Sequence, residues 1–261
     1  MKQRDNTLLI TGGTSGIGLE LAKQFLARNN QVIITGRSAE KLAKAKQVLG
    51  DVTTIQSDVS NPDSIKELYQ HVSKAFPNLN ILINNAGVMY TINLQDHALS
   101  AAELTQELDI NVKGTIWMND AFLPLLKKNN DAATVSVSSG LAFVPLPISP
   151  IYCAAKAAIH SYTQSLRVQL SNTAVKVFEL VPPATATDLI SGFDAADMEG
   201  TTLMPVEELV AAFLKGFFND KYEICPGQAS QLKFMSRFFP RFILKQLSKS
   251  VANMHAKQQA G

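Results

Sequence analysis

The chain has 261 residues, 46% of them hydrophobic and 18% charged, with a net charge of +2. That balance provides a substantial core and excludes long disordered tracts, and no apolar run reaches the ~18 residues needed to cross a membrane. The polar start, 1–6, runs straight into an apolar segment, so no signal peptide is expected; Cys153 and Cys225 form no metal or disulfide framework, and a reducing cytoplasm is the expected compartment.

In chain order, residues 7–11 read as a short apolar strand, followed by a glycine-rich turn and an amphipathic helix over 17–28. A strand at 32–35, a helix at 39–49 and a strand at 52–56 come next. Asn61-Pro62 has the form of an N-cap with proline at the first helical position, opening a helix that runs to about 76. Residues 81–83 are apolar throughout, as buried parallel strands are. One long helix is expected over 102–128, then a strand at 134–137, a helix from 152 to about 170 and a strand at 175–181. The closing elements are a helix at 206–218, a strand at 222–224 and a helical stretch over 228–254 that Pro240 should break or restart. Strands alternate with helices, with no internal repeat and no composition shift before about Leu203. The pattern is that of an α/β protein with a Rossmann-like, doubly wound parallel sheet in three layers, a single domain over 1–261.

Two stretches carry chemistry. Thr11-Gly12-Gly13-Thr14-Ser15-Gly16-Ile17-Gly18 lies between the first strand and first helix. Glycines permit a tight turn and close approach of a phosphate, and the helix behind them offers unpaired N–H groups and a positive dipole end. The second strand ends Thr35-Gly36-Arg37, where an acid would accept hydrogen bonds from the ribose of NAD. A guanidinium there suits a 2′-phosphate, which favours NADP(H), with NAD(H) as the second candidate. The other stretch is Tyr152-Cys153-Ala154-Ala155-Lys156, which stacks a phenol and an ammonium one helical turn apart. A positive charge beside a phenol should lower its pKa from ~10 toward the working range.

Together these residues resemble the short-chain dehydrogenase/reductase family over roughly residues 7–187. The turn at 11–18 is similar to its T-G-x-x-x-G-x-G cofactor motif and Tyr152/Lys156 to its Y-x-x-x-K pair. Asp58-Val59 stands where the family contacts the adenine, and Asn84-Asn85-Ala86-Gly87 matches the N-N-A-G that stabilises the sheet and lines the cofactor. Pro182-Pro183-Ala184-Thr185-Ala186-Thr187 resembles the nicotinamide-contacting P-G-x-V-x-T, with proline and threonine in place of glycine and valine. The resemblance implies that Tyr152 exchanges a proton with the substrate oxygen, Lys156 lowers its pKa and holds the ribose, and Ser139 (13 residues before Tyr152, and so preferred to Ser138) hydrogen-bonds the substrate. Asn111 would hold a relay water. It also implies cofactor contacts from Thr11, Gly12, Thr14, Ser15, Gly16, Ile17, Gly18, Arg37, Asp58, Val59, Asn85, Ala86, Gly87, Tyr152, Lys156, Pro182, Thr185 and Thr187, and a homodimer or homotetramer.

The expected activity is therefore NADP(H)-dependent interconversion of a carbonyl and an alcohol on a small-molecule substrate. A dinucleotide-binding redox sensor or scaffold, and a peripheral membrane enzyme acting on lipid carbonyls, are the alternatives. A substrate lid is expected over 188–204, where Leu189, Ile190, Phe193 and Leu203 mix with Asp194, Asp197 and Glu199. With Met89, Leu141, Phe143, Val144 and Leu146 it should form a largely apolar pocket. His71, His97, His160 and His255 show no ligand spacing, so no metal is expected, and Cys153 reads as structural. The segment 221–261 carries seven Lys/Arg against one acid, Glu223, and within it Ile243, Leu247 and Val251 repeat at helical spacing. A helix packed on its own domain or a sister subunit, with its basic residues in water, is favoured over one lying on an anionic membrane. No nucleic-acid reader motif is interleaved with these charges.

Overall fold

The computed structural model describes residues 1–96, 99–190, 192–194, 197 and 201–260, with side chains to 254. His97, Glu199 and the side chain of His255 lie outside the described residues. Seven parallel strands form one sheet: β1 (Thr7–Thr11), β2 (Gln31–Gly36), β3 (Thr53–Gln56), β4 (Ile81–Asn84), β5 (Ala132–Val137), β6 (Val175–Leu180) and β7 (Glu223–Ile224), in the order β3-β2-β1-β4-β5-β6-β7.

The strands are aliphatic on both faces because both faces are covered. On one side Leu8, Ile10, Ile34 and Phe178 meet Leu21 and Phe25 of α1 (Gly16–Leu26), Leu42 of α2 (Ala39–Leu49) and Phe213 and Phe217 of α7 (Val206–Phe218). On the other, Leu9, Ile33, Leu82 and Val177 meet Leu68 and Val72 of α3 (Pro62–Ala75), Phe122 and Leu126 of α5 (Gly114–Leu126) and Leu166 of α6 (Pro150–Gln169). The expected three layers and doubly wound sheet are present. Helix starts follow their sequence signals: the Asn61 side chain accepts from the Asp63 and Ser64 amides ahead of α3, with Pro62 at its first turn.

The long helix expected over 102–128 is not continuous. It is α4 (Ala101–Leu108), a π-turn over Asp109–Lys113, then α5. The cause is Asn111. Its amide oxygen accepts the Val88 N–H at 2.9 Å and its amide nitrogen donates to the Val88 carbonyl at 2.9 Å, while the Thr115 hydroxyl takes the Asn111 carbonyl at 3.0 Å. These side-chain bonds tether the helix to the loop after β4 at the point where its own bonding lengthens to the π pattern. The C-terminal stretch is three helices, α8 (Gln228–Phe238), α9 (Pro240–Leu247) and α10 (Lys249–Ala260), broken before Pro240 as expected. Among the described residues, no helix is long and apolar enough to cross a membrane.

Candidate active site

The sheet order reverses between β1 and β4, and a cleft of about 1020 Å³ opens at the carboxyl ends of the strands there. Its floor is main chain. Gly12 has φ +64, and a Cβ on it would lie 2.9 Å from Ala86 Cα; a Cβ on Gly18 would lie 2.3 Å from the Gly12 carbonyl oxygen. Only glycine fits either position. Asn85 Nδ2 donates to the carbonyls of Thr11 and Gly12 at 3.0 Å each, and Thr11 Oγ1 accepts the amides of Asn85 at 3.0 Å and Ala86 at 3.1 Å. Thr11 and Gly18 therefore lie behind the cleft wall and lock the floor; they do not border the cleft as the motif implied. Gly12, Thr14, Ser15, Gly16 and Ile17 do border it, with the first turn of α1 behind them. Ser15 caps that helix without a side-chain hydrogen bond, so first-turn amides face the cleft. Asn85, Ala86 and Gly87 form the opposite strip.

At the far end the cleft is bordered by Arg37, Asp58 and Val59. Asp58 Oδ1 is shared with the amide (2.9 Å) and hydroxyl (2.7 Å) of Ser60. Ser38 and Lys41 join Arg37, bringing a second cation that the motif search overlooked. Lys41 lies four residues after Arg37, in the first turn of α2. The donor set, two cations and a hydroxyl with a glycine floor and a helix N-terminus, fits a dinucleotide and its phosphates.

Tyr152, Lys156 and Ser139 meet at the middle of the cleft, each under a tenth exposed. Lys156 Nζ lies 5.5 Å from the Tyr152 ring centroid and donates to the Val137 carbonyl at 2.8 Å. The Ser139 side chain lies near the Tyr152 phenol, and its hydroxyl accepts the Leu141 amide at 3.1 Å. Ser138 Oγ instead donates to buried Glu179 at 2.5 Å. The side chain of Asn111 is spent on Val88 and does not border the cleft. It holds the strip at Gly87, where a Cβ would come within 3.1 Å of Asn111 Oδ1 and 3.6 Å of Lys156 Nζ.

The expected lowering of the tyrosine pKa is not what this geometry produces. Burial pushes the Tyr152 phenol up, and the nearby Ser139 side chain only partly offsets it, with the charges of Cys153 and Glu107 adding to the rise. Burial also pushes Lys156 down to about 8, partly resisted by Glu107 and Glu179. Spacing revealed the pair, but desolvation outweighs the mutual charge.

Glu107 is the residue that motif reasoning missed. It is 1% exposed on α4, one turn before Asn111. Oε1 accepts the Tyr90 amide at 2.8 Å, and the Tyr152 main-chain amide approaches too loosely to satisfy Oε2. Burial raises its carboxyl pKa above the usual range. Cys153 is buried and accepts the Leu146 amide at 3.2 Å, a structural role as expected, with burial pushing its thiol up to about 11.

A family model for the short chain dehydrogenases matches residues 6–197. The chain belongs to the short chain dehydrogenase family. It is 42% identical to the uncharacterized oxidoreductase DltE of Bacillus subtilis (strain 168), over 91% of this chain and 94% of that relative. A short chain dehydrogenase from Burkholderia cenocepacia J2315, in complex with NADP, matches with TM-score 0.81 and 24% identity over 95% of this chain and 99% of that one. One from Burkholderia phymatum, in complex with NAD, matches with TM-score 0.80 and 21% identity over 89% and 94%. At these identities the two structures speak to fold. As a family member the protein is an NAD(P)-dependent oxidoreductase acting on CH–OH groups.

The substrate side of this dehydrogenase is less regular. Pro182, Thr185 and Thr187 border the cleft beyond Ser139, and Leu189, Ile190, Phe193 and Asp197 follow from the expected lid. Met89, Leu141 and Leu146 border it as expected, but Phe143 and Val144 do not. Val144 is buried, and Phe143 packs edge-on to His160 at 5.0 Å with Lys233 5.5 Å above its ring. Leu203 is exposed and lies outside the cleft. The main addition comes from the tail: Leu232, Met235, Ile243 and Leu247 face the cleft together with Gln231, Gln246 and Asn253. His160, which sequence spacing left alone, has Nδ1 2.9 Å from Glu179 Oε2, and Glu223 closes a group of three whose ligand atoms lie within 4.8 Å. Three separate elements supply it, so chain spacing could not show it. Lys233 pairs with Glu223, and Ser138 and His160 with Glu179, so these charges are compensated within the fold.

Proposed function

We propose that the protein interconverts a carbonyl and an alcohol on a small, mostly apolar substrate, with NADP(H) preferred over NAD(H). The observation that carries this reading is the meeting of buried Tyr152, Ser139 and Lys156 at the midpoint of the cleft, with Lys156 Nζ 5.5 Å from the Tyr152 ring centroid. Bound nicotinamide supplies or accepts the hydride. Tyr152, kept protonated by burial, gives its proton to the substrate oxygen as charge develops there. Ser139 donates a second hydrogen bond to the same oxygen, stabilising that charge. Lys156, anchored on the Val137 carbonyl, holds an ammonium beside the phenol and refills its proton. Asn111 acts as a positioning residue: it fixes Val88, and so Gly87, against Lys156.

Gly12, Thr14, Ser15, Gly16 and Ile17 hold the pyrophosphate, Asp58 and Val59 the adenine end, and Asn85, Ala86, Gly87, Pro182, Thr185 and Thr187 the nicotinamide half. Arg37 and Lys41 take the 2′-phosphate, which is the basis for preferring NADP(H). The lid over 188–204 and the tail over 228–254 close the substrate side of one domain. Assembly into a dimer or tetramer follows family habit.

The test is NADPH and NADH oxidation against a panel of aldehydes and ketones, with Tyr152→Phe as control. Turnover preferring NADPH and lost by about 10³-fold in the variant, with cofactor affinity retained, is the expected result. Retained turnover in Tyr152→Phe removes that residue from the chemistry.

A further inference from the structure

We propose that the outer face of α8 and α9 is a docking surface for an anionic lipid bilayer. Phe234, Phe238, Phe239 and Phe242 are each more than half exposed, at 56%, 59%, 52% and 56%. The Phe234 and Phe238 rings lie against each other, centroids 4.7 Å apart, and none of the four borders the cleft. Four neighbouring aromatics left in water form an exposed apolar patch of the kind that marks an interaction site. α9 contributes no buried residue at all. Ile243 and Leu247, the repeat visible in the sequence, turn inward to the cleft, so the fold has already used that stripe and a second apolar face remains outside.

The charge on this face selects the occupant. Residues 228–261 contain six Lys/Arg and no Asp or Glu. Arg237 stands beside Phe238, and Arg241 and Lys245 flank Phe242 and Leu244, the latter 40% exposed. Phenylalanines interleaved with cations on short amphipathic helices suit the boundary between acyl chains and acidic headgroups: the rings enter the apolar layer and the cations meet phosphate. A second copy is the poorer match, since two-fold pairing of this face would set Arg237, Arg241 and Lys245 against their own equivalents with no acid to answer them. Because the inner side of the same helices borders the cleft, docking would bring its substrate side to the bilayer. The inference rests on the surface alone and is independent of the reaction proposed above.

Co-sedimentation with phosphatidylcholine vesicles, with and without phosphatidylglycerol, tests it on the full chain. The protein is expected to pellet with the phosphatidylglycerol vesicles at low salt, to stay in solution with phosphatidylcholine alone, and to release as salt rises and the screening length falls to ~10 Å at 0.1 M. Each cation near an anionic surface contributes roughly fivefold, so Arg237→Glu/Arg241→Glu, which reverses two charges, should weaken binding by at least about 25-fold. Phe238→Ser/Phe242→Ser should weaken it similarly with an unchanged melting temperature, because both rings are already in water. Absence of pelleting with phosphatidylglycerol vesicles at low salt overturns the proposal, as does pelleting of both variants to the same extent as the wild type. A wild-type oligomer that Phe238→Ser/Phe242→Ser splits into smaller species also overturns it, by showing that a second copy covers the face.

Discussion

The two sides of the cleft are built by different means. The dinucleotide side is made of main chain: glycines at 12 and 18 that admit no Cβ, amides at a helix start, and two loops pinned by Asn85 and Thr11. The substrate side is made of side chains carried on separate segments, the 188–204 stretch and α8–α10. Main-chain geometry tolerates few residue types at fixed spacing, whereas a wall of side chains can be assembled from many. The first kind of construction fixes the reaction and cofactor; the second fixes the substrate.

Substitutions can test that division. Lys156→Met, between the two sides, should have the largest effect, a loss of about 10³-fold in kcat. It should leave the melting temperature unchanged or higher, because burial already disfavours this ammonium and pushes it down to about 8. A thermal melt beside steady-state kinetics checks both. Arg37→Ala/Lys41→Ala should raise the Kd for NADPH by about 10–100-fold and leave NADH unchanged, read by fluorescence titration. Equal losses for both cofactors would show that these cations do not read the 2′-phosphate. On the other side, Leu232→Ala or Met235→Ala should move KM by several-fold to about tenfold for the larger substrates, with the NADPH Kd unchanged. A change in cofactor affinity there would blur the distinction between the two sides.

The smallest effect is expected from Glu107→Gln, which sharpens the boundary itself. The carboxylate raises both Tyr152 and Lys156. On the alkaline limb of the rate profile it is ionised, so its removal lowers both pKa values and the limb should move to lower pH, while kcat at neutrality changes little. An unmoved limb would reduce Glu107 to a support for the Tyr90 loop.

How far the sequence could be read follows the same line. The sheet, its helices and the glycine floor were visible because period, caps and glycine spacing are local signals. Asn111 matched the family's helix-bending position, but the π-turn itself was not legible, since the bonds that tie Asn111 down run to Val88, 23 residues away. The tyrosine pKa was misread because spacing reports neighbouring charge and not burial. Lys41 was within reach, four residues after Arg37 in the first turn of α2. The tail was read through one stripe, Ile243, Leu247 and Val251; its phenylalanines follow no clean period because α8 and α9 are separate helices meeting at Phe239-Pro240. The ion group of His160, Glu179 and Glu223 joins residues from three elements and exists only once the sheet edge has formed.

The pinning of Thr11 to Asn85 joins residues 74 apart in the chain. No early folding unit that lacks β4 can own a finished dinucleotide floor, so the cofactor should bind the native state and not its precursors. By mass action such a ligand pulls the chain toward completion, by ~2.7 kcal/mol when its concentration is 100 times its dissociation constant. The redox carrier thereby doubles as a chaperone of its own enzyme, and the protein's lifetime against proteases should track the supply of nicotinamide dinucleotide in which it folds.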